Sequence, residues 1–117
     1  MELYPALHIA FNRCLAKAKL LWPDLDMYNI KLRIEDIGDD YVGLADQNIN
    51  VVYINPAYAR MNRDYVIQEI IPHEIAHIVQ GIMFPYARYI HGKEWKEATR
   101  ALGGVPTAMA RFPAIDI

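Results

Sequence analysis

The stretch IIPHEIAHIVQ, residues 70–80, carries two histidines and a glutamate inside a helical pattern of isoleucines. At about 100° per residue, the isoleucines on either side of the motif form one apolar stripe. His73 and His77 lie together on a different side, with Glu69, Ala76 and Gln80 as neighbours. The pattern therefore predicts an amphipathic helix from about Tyr65 to Met83, whose histidines point away from the core. The stripe consists of Ile67, Ile71, Ile75, Ile78 and Ile82.

The segment HEIAH, residues 73–77, has the HExxH spacing. Two histidines four residues apart on a helix can both reach one tetrahedral zinc ion, and the glutamate after the first can reach a metal-bound water. The alternative is a helix that carries these residues by chance and binds no metal. Histidines with only a structural role would more often lie on the isoleucine stripe, so the spacing favours a metal site with Glu74 as the base.

A catalytic zinc site needs a third protein ligand and one open position. The candidates are His8, His91 or a carboxylate, because the chain has four histidines in all. His91 begins HGKEW and forms a helical stripe with Trp95, Ala98 and Leu102. Packing this stripe on the long helix would bring His91 to the same cleft as His73 and His77, so His91 is the predicted third ligand. His8 is predicted to be a surface or capping residue.

Pro72 directly precedes the first histidine. A proline inside a helix lacks the N–H that would bond to the carbonyl of Gln68, and it is expected to kink the helix. We expect this kink to direct the His73–His77 turn toward the cleft.

The rest of the chain predicts an α+β domain, zincin-like in its element order, that covers residues 1–117. Ile30, Leu32 and Ile34 alternate with charged residues, which is typical of a half-buried strand. Because no helical pattern separates the strands, a small three-stranded antiparallel sheet is expected, with a hairpin at DQN, residues 46–48. Asp64 or Asn62 is predicted to cap the long helix. The predicted elements are a helix over about Tyr4–Trp22, strands in IKLRIED, YVGLADQ and INVVYIN, the HExxH helix, and a short helix over about Lys93–Leu102 that Gly103 and Gly104 end; the tail from Val105 is unassigned.

Composition bounds the possible partners and location. The formal net charge of -2 gives no general attraction to nucleic acid, although DNA stays open as a partner. The basic residues near the motif alternate with Glu69, Glu94 and Glu97, which favours solvated helix faces. The single cysteine, Cys14, excludes an internal disulfide. The N-terminus lacks the pattern of a signal peptide, and no apolar run is long enough to span a bilayer, so a cytoplasmic protein without a membrane partner is predicted.

IIPHEIAHIVQ followed by HGKEWKEATRALGG resembles the SprT-like family of zinc metallopeptidases, whose pattern is HExxH and then HGxxW. That family includes bacterial SprT proteins and the catalytic domain of Spartan, a nuclear protease that cleaves proteins crosslinked to DNA. The resemblance implies a zinc endopeptidase and leaves DNA-associated proteins open as substrates. Many members carry a C-terminal zinc ribbon with paired CxxC motifs; this chain has no cysteine after Cys14, and a minimal or truncated member, or a bare catalytic domain, is expected.

The resemblance also implies an extended peptide substrate beside a sheet edge, supplied by INVVYIN or by YVGLADQ. Tyr86, Arg88 and Tyr89 could supply a second donor to the oxyanion, but loop surface is the favoured interpretation. Two other functions stay open, namely a zinc-stabilised binding module without turnover and a DNA-binding accessory protein. Three histidines and a water also suit cobalt, nickel or copper.

Overall fold

The structure, a computed structural model, describes residues 1–107. Residues 108–117 of the predicted domain lie outside this range. The predicted α+β class is confirmed, because an N-terminal helix and a three-stranded sheet precede the HExxH helix and a short last helix. In chain order the elements are α1 Leu3–Leu21, β1 Lys31–Ile34, β2 Gly43–Asp46, β3 Val51–Ile54, α2 Pro56–Met61, α3 Arg63–Tyr65, a π-helical turn Val66–Ile70, α4 Ile71–Met83 and α5 Lys93–Ala101.

The sheet is mixed, so the prediction of a purely antiparallel sheet was wrong. Its order is β1-β3-β2, with β3 parallel to β1 and antiparallel to β2. After β1, the chain crosses to the far edge of the sheet and runs in the opposite direction as β2. It then reverses again and returns as β3, between β1 and β2. These two reversals make β1 and β3 parallel without a crossover helix, so the absence of a helical pattern between the strands did not exclude a parallel pair.

The predicted hairpin between β2 and β3 is confirmed. Asp46 pairs with Val51, so four residues form the connecting loop. The Asp46 side chain accepts a hydrogen bond from the Asn48 N–H (2.9 Å), and Asn50 closes the turn with a positive φ of 54°. Within residues 1–107, β2 pairs with β3 alone, which leaves one side of β2 as an exposed sheet edge.

The long helix is not uniformly α-helical. The Ile71 N–H donates to the Val66 carbonyl, five residues back, in the π-helical turn that precedes α4. Pro72 lies just after this π-helical turn, and its missing N–H interrupts the hydrogen-bond pattern at the point where the helix changes from π to α. The chain therefore accommodates Pro72 by a wider turn upstream. That Pro72 directs the histidine turn stays a prediction.

A separate helix α2 was not predicted. The Asn55 side chain caps it by accepting a hydrogen bond from the Ala57 N–H (3.2 Å), and Pro56 occupies its first turn. Asn followed by Pro is a typical helix start, so the signal was present. Asn62 precedes α3, but its side chain makes no capping hydrogen bond.

One hydrophobic core holds these elements together, and α4 lies at its centre, in contact with α1, α5 and the sheet. Of the predicted isoleucine stripe, Ile71, Ile75 and Ile78 are fully buried, while Ile67 and Ile82 are half-buried. Burial of such side chains contributes about 1.5–3 kcal/mol each. The core thus fixes the rotation of α4, and with it the direction of the histidines. No helix within residues 1–107 is both long and apolar enough to cross a membrane.

Candidate metal centre

Three imidazoles converge at one point beside α4. His77 Nε2 lies 3.2 Å from His73 Nε2 and 3.1 Å from His91 Nε2. Histidine nitrogens at about 2.0–2.1 Å from a tetrahedral ion are about 3.3 Å apart. The three side chains are therefore arranged as ligands of one ion would be, and they could hold a metal.

Two different elements deliver these side chains. His73 and His77 lie one turn apart on α4, as the spacing predicts. His91 lies in the turn before α5, not within the helix, because α5 begins at Lys93. The predicted stripe of Trp95, Ala98 and Leu102 is buried against the core, and this packing brings His91 to α4. His8 is exposed on α1 and is not part of the cluster.

Trp95 fixes the three rings from one side. Its side chain is fully buried, and its indole Nε1–H donates to the His73 carbonyl (3.1 Å). The indole lies against His73, His77 and His91, with ring centroids 4.7, 5.3 and 4.8 Å away. A rigid apolar wall of this kind restricts the imidazoles to few rotamers.

The imidazoles are held in the neutral form that binds metals. Burial, and then the neighbouring His91, lower the pKa of His73 to about 4, although the Thr107 backbone acts in the opposite direction. Burial and the other two imidazoles lower the pKa of His77 to about 3. Burial also lowers the pKa of His91. At neutral pH each ring therefore keeps a nitrogen lone pair for a cation.

Glu74 lies at the edge of the cluster and is only 6% exposed. Burial raises the pKa of its carboxyl to about 8. Its close neighbour is Gly43 at the start of β2, where an added Cβ would lie 3.1 Å from Glu74 Oε2. A cation nearby favours the carboxylate, so a bound metal would oppose the effect of burial on this pKa.

The cluster opens into a cleft of about 770 Å³. One wall is β2 with the residues just before it, and the other includes His73, Glu74, His77 and His91. Because β3 is the central strand, the exposed edge along the cleft belongs to YVGLADQ, and INVVYIN is excluded as that edge. Tyr86, Arg88 and Tyr89 are exposed and do not line this cleft, in agreement with the loop-surface interpretation.

Two glutamines that sequence analysis gave no role connect the site to its surroundings. Gln47 Nε2, in the β2–β3 hairpin, donates to the His77 carbonyl (2.6 Å), and its side chain crosses α4 at Gly81. An added Cβ at Gly81 would lie 2.9 Å from Gln47 Cδ, so a larger residue there would displace the Gln47 side chain. Gln80 Nε2 donates to the Tyr89 carbonyl (2.9 Å). The sequence placed Gln80 on the histidine face of α4. It could not reveal the hydrogen bonds of Gln47 and Gln80, because their partners are not at a helical spacing in the sequence.

The α+β scaffold and its three-histidine cluster, with a buried glutamate and an open cleft, define a protein with a candidate metal centre of the HExxH type. Residues 9–114 match the SprT-like family, and the chain belongs to that family.

Several relatives carry the name Protein SprT. The protein of Pseudomonas paraeruginosa is 31% identical over 64 residues, which are 55% of this chain and 39% of the relative. The protein of Vibrio parahaemolyticus is 33% identical over 63 residues, 54% of this chain and 38% of the relative. That of Vibrio atlanticus is 34% identical over 76 residues, 65% of this chain and 42% of the relative. The matched segment thus spans about two fifths of each relative's length.

Proposed function

We propose that this protein is a zinc-dependent endopeptidase of the SprT-like type. The observation that carries the proposal is the convergence of three neutral imidazoles beside Glu74 in a cleft bordered by a free strand edge. A closed structural site would use a fourth protein ligand, whereas three ligands leave one position for water or substrate. Within residues 1–107 the cluster comprises His73, His77 and His91 and no fourth ligand.

The chain's own groups have distinct parts in the proposed reaction. His73, His77 and His91 would hold the ion, which when bound supplies Lewis acidity and lowers the pKa of water toward about 7. Glu74 would take the proton from the attacking water and deliver it to the leaving amine. The position of Glu74 supports this role, because it directly follows His73 on α4 and lines the same cleft as the three imidazoles.

The edge of β2 is the proposed binding site for the substrate backbone. Within residues 1–107 no further strand pairs with the outer side of Gly43–Asp46, and an extended peptide can add to such an edge as a further strand. We therefore propose unfolded or extended protein segments as substrates. That DNA-associated or DNA-crosslinked proteins are among them, and that the location is cytoplasmic, stay predictions.

A metal-stabilised binding module without turnover is the second candidate. Burial of Glu74 favours it, because a carboxyl whose pKa is about 8 is protonated at neutral pH and is then no base. Catalysis therefore requires a bound cation that lowers the pKa of Glu74, whereas a binding module can function with this carboxyl protonated.

Metal content and turnover separate the two candidates. We would purify the protein without chelators, measure bound metal by mass spectrometry, and follow cleavage of a labelled unfolded casein, with and without single-stranded DNA. One zinc per chain is expected, with a sharp loss in His91→Ala. Glu74→Gln is expected to keep the metal and lose at least about 100-fold in turnover. Zinc without cleavage in the parent would support the binding module, and absence of any bound metal would refute both candidates.

A further inference from the structure

Gln80 links the two parts of the candidate metal centre. It lies three residues after His77 on α4, and its side chain is only 3% exposed. Its Nε2 donates to the Tyr89 carbonyl at 2.9 Å, and Tyr89 lies two residues before His91. This hydrogen bond joins α4 to the segment between α4 and α5 that presents His91.

The other end of the same amide meets His77. Within residues 1–107, two buried side-chain polar atoms lack a completed hydrogen bond, and these are His77 Nδ1 and Gln80 Oε1. His77 and Gln80 are three residues apart on α4, and side chains at this spacing are neighbours on one helix face. A small adjustment of the Gln80 amide would therefore join the two unsatisfied atoms in one hydrogen bond.

Metal binding would complete this contact. His77 Nε2 faces the other two imidazoles, so the proton of the neutral ring must be on Nδ1 when Nε2 is a ligand. A buried N–H without an acceptor is destabilising, because it has lost its hydrogen bond to water without gaining another. Histidine ligands commonly donate their second N–H to a carbonyl or carboxylate, which fixes the tautomer and the ring orientation.

We propose that Gln80 is a positioning residue for the metal centre. Its amide oxygen accepts the Nδ1–H of His77, and its amide nitrogen holds the backbone that carries His91. This inference rests on the proposed metal binding, yet it concerns one residue outside the HExxH and HGxxW motifs. If Gln80 only filled space in the core, its loss would lower stability and leave metal affinity unchanged.

The test compares zinc affinity in the parent, Gln80→Met and Thr99→Val, by competition with a chromophoric chelator. Methionine keeps the length of the side chain and removes both hydrogen bonds. Thr99 is the matched control, because it is fully buried and its hydroxyl donates only to the Trp95 carbonyl within α5 (2.8 Å). Circular dichroism and the Tm of the metal-free proteins report folding separately. Gln80→Met is expected to weaken zinc binding about 10- to 100-fold, and Thr99→Val less than about twofold.

A double-mutant cycle with His91→Ala isolates the contact to Tyr89. If Gln80 helps to present His91, Gln80→Met must weaken zinc binding by a smaller factor when His91 is already absent. Equal factors in both backgrounds would overturn this half of the proposal. A folded Gln80→Met protein with unchanged zinc affinity would overturn the whole of it.

NMR of the zinc-loaded parent gives a result even if Gln80→Met does not fold. A slowly exchanging Nδ1 proton on His77 is expected, and its absence would overturn the role of the Gln80 oxygen. The outcomes also separate the two proposals. A parent that binds no zinc refutes the proposed function, whereas tight zinc binding that is indifferent to Gln80→Met refutes only the role of Gln80.

Discussion

Replacing Glu74 with glutamine should change how the stability of the metal-free protein depends on pH. Burial raises the pKa of this carboxyl from 4.5 to about 8 in the folded state. Between these values the folded protein holds a proton that the unfolded chain has released. The stabilisation is therefore complete below pH 4.5 and is lost as the pH rises through 8. Glutamine has no proton to lose, so Glu74→Gln removes this dependence.

The size of the effect follows from the shift in pKa. Integration of the linkage relation from pH 7 to pH 9 gives a loss of about 1.4 kcal/mol in the free energy of unfolding. For a chain of this length that corresponds to about 6 °C in Tm. At pH 7 an unfolded histidine with a pKa of 6.5 is still partly protonated, so the three histidines oppose this loss to a small extent in both proteins. The difference between the parent and Glu74→Gln therefore isolates the contribution of the carboxyl.

Thermal and urea unfolding in the presence of a chelator, from pH 7 to pH 9, measure this loss directly. The curves of the parent and of Glu74→Gln should diverge by the stated amount. Glu97→Gln is the control, since Glu97 is exposed on α5 and its replacement should leave the parent's profile unchanged. Parallel curves for the parent and Glu74→Gln would refute the argument that burial keeps this carboxyl protonated.

Three further expectations concern the same region. Because the pKa values of His73 and His77 are lowered to about 4 and 3, metal-free Glu74→Gln should lose stability as the pH falls from 6.5 to 4; a flat urea-denaturation profile would contradict this. Gly43→Ala adds a Cβ 3.1 Å from Glu74 Oε2, so differential scanning calorimetry should show a loss of about 1–3 kcal/mol, and an unchanged Tm would contradict the close packing. Trp95→Phe removes the indole donor to the His73 carbonyl and should cost about 1–3 kcal/mol in urea denaturation, whereas a neutral effect would mean that this hydrogen bond adds nothing.

The three-histidine cluster was predictable because the chemistry of metal binding imposes a local spacing. His73 and His77 share a helix face four residues apart, and no tertiary information is needed to place them together. His91 required one further step, which the apolar stripe ending in Leu102 supplied. The roles of Gln47 and Gln80 could not be found in this way, because their partners lie 30 and 9 residues away.

The errors in the predicted fold have the same origin. Alternation in the strands reports which face is buried, but it carries no information on which strand lies in the middle of the sheet. The extra residue of the π-helical turn lies upstream of Pro72, and nothing in Val66–Ile70 distinguishes it from an α-helical pattern. Order within the sheet and the phase of a helix are set by packing across the core.

The contact between the Trp95 indole and the three imidazoles has a spectroscopic consequence. The protein has two tryptophans, Trp95 against the imidazoles and Trp22 at the end of α1. Replacement of Trp22 with phenylalanine would leave Trp95 as the single tryptophan, in ring contact with all three candidate ligands. Its fluorescence would then report a quenching ion such as Cu²⁺ or Co²⁺ entering the cluster, in real time and without an added dye.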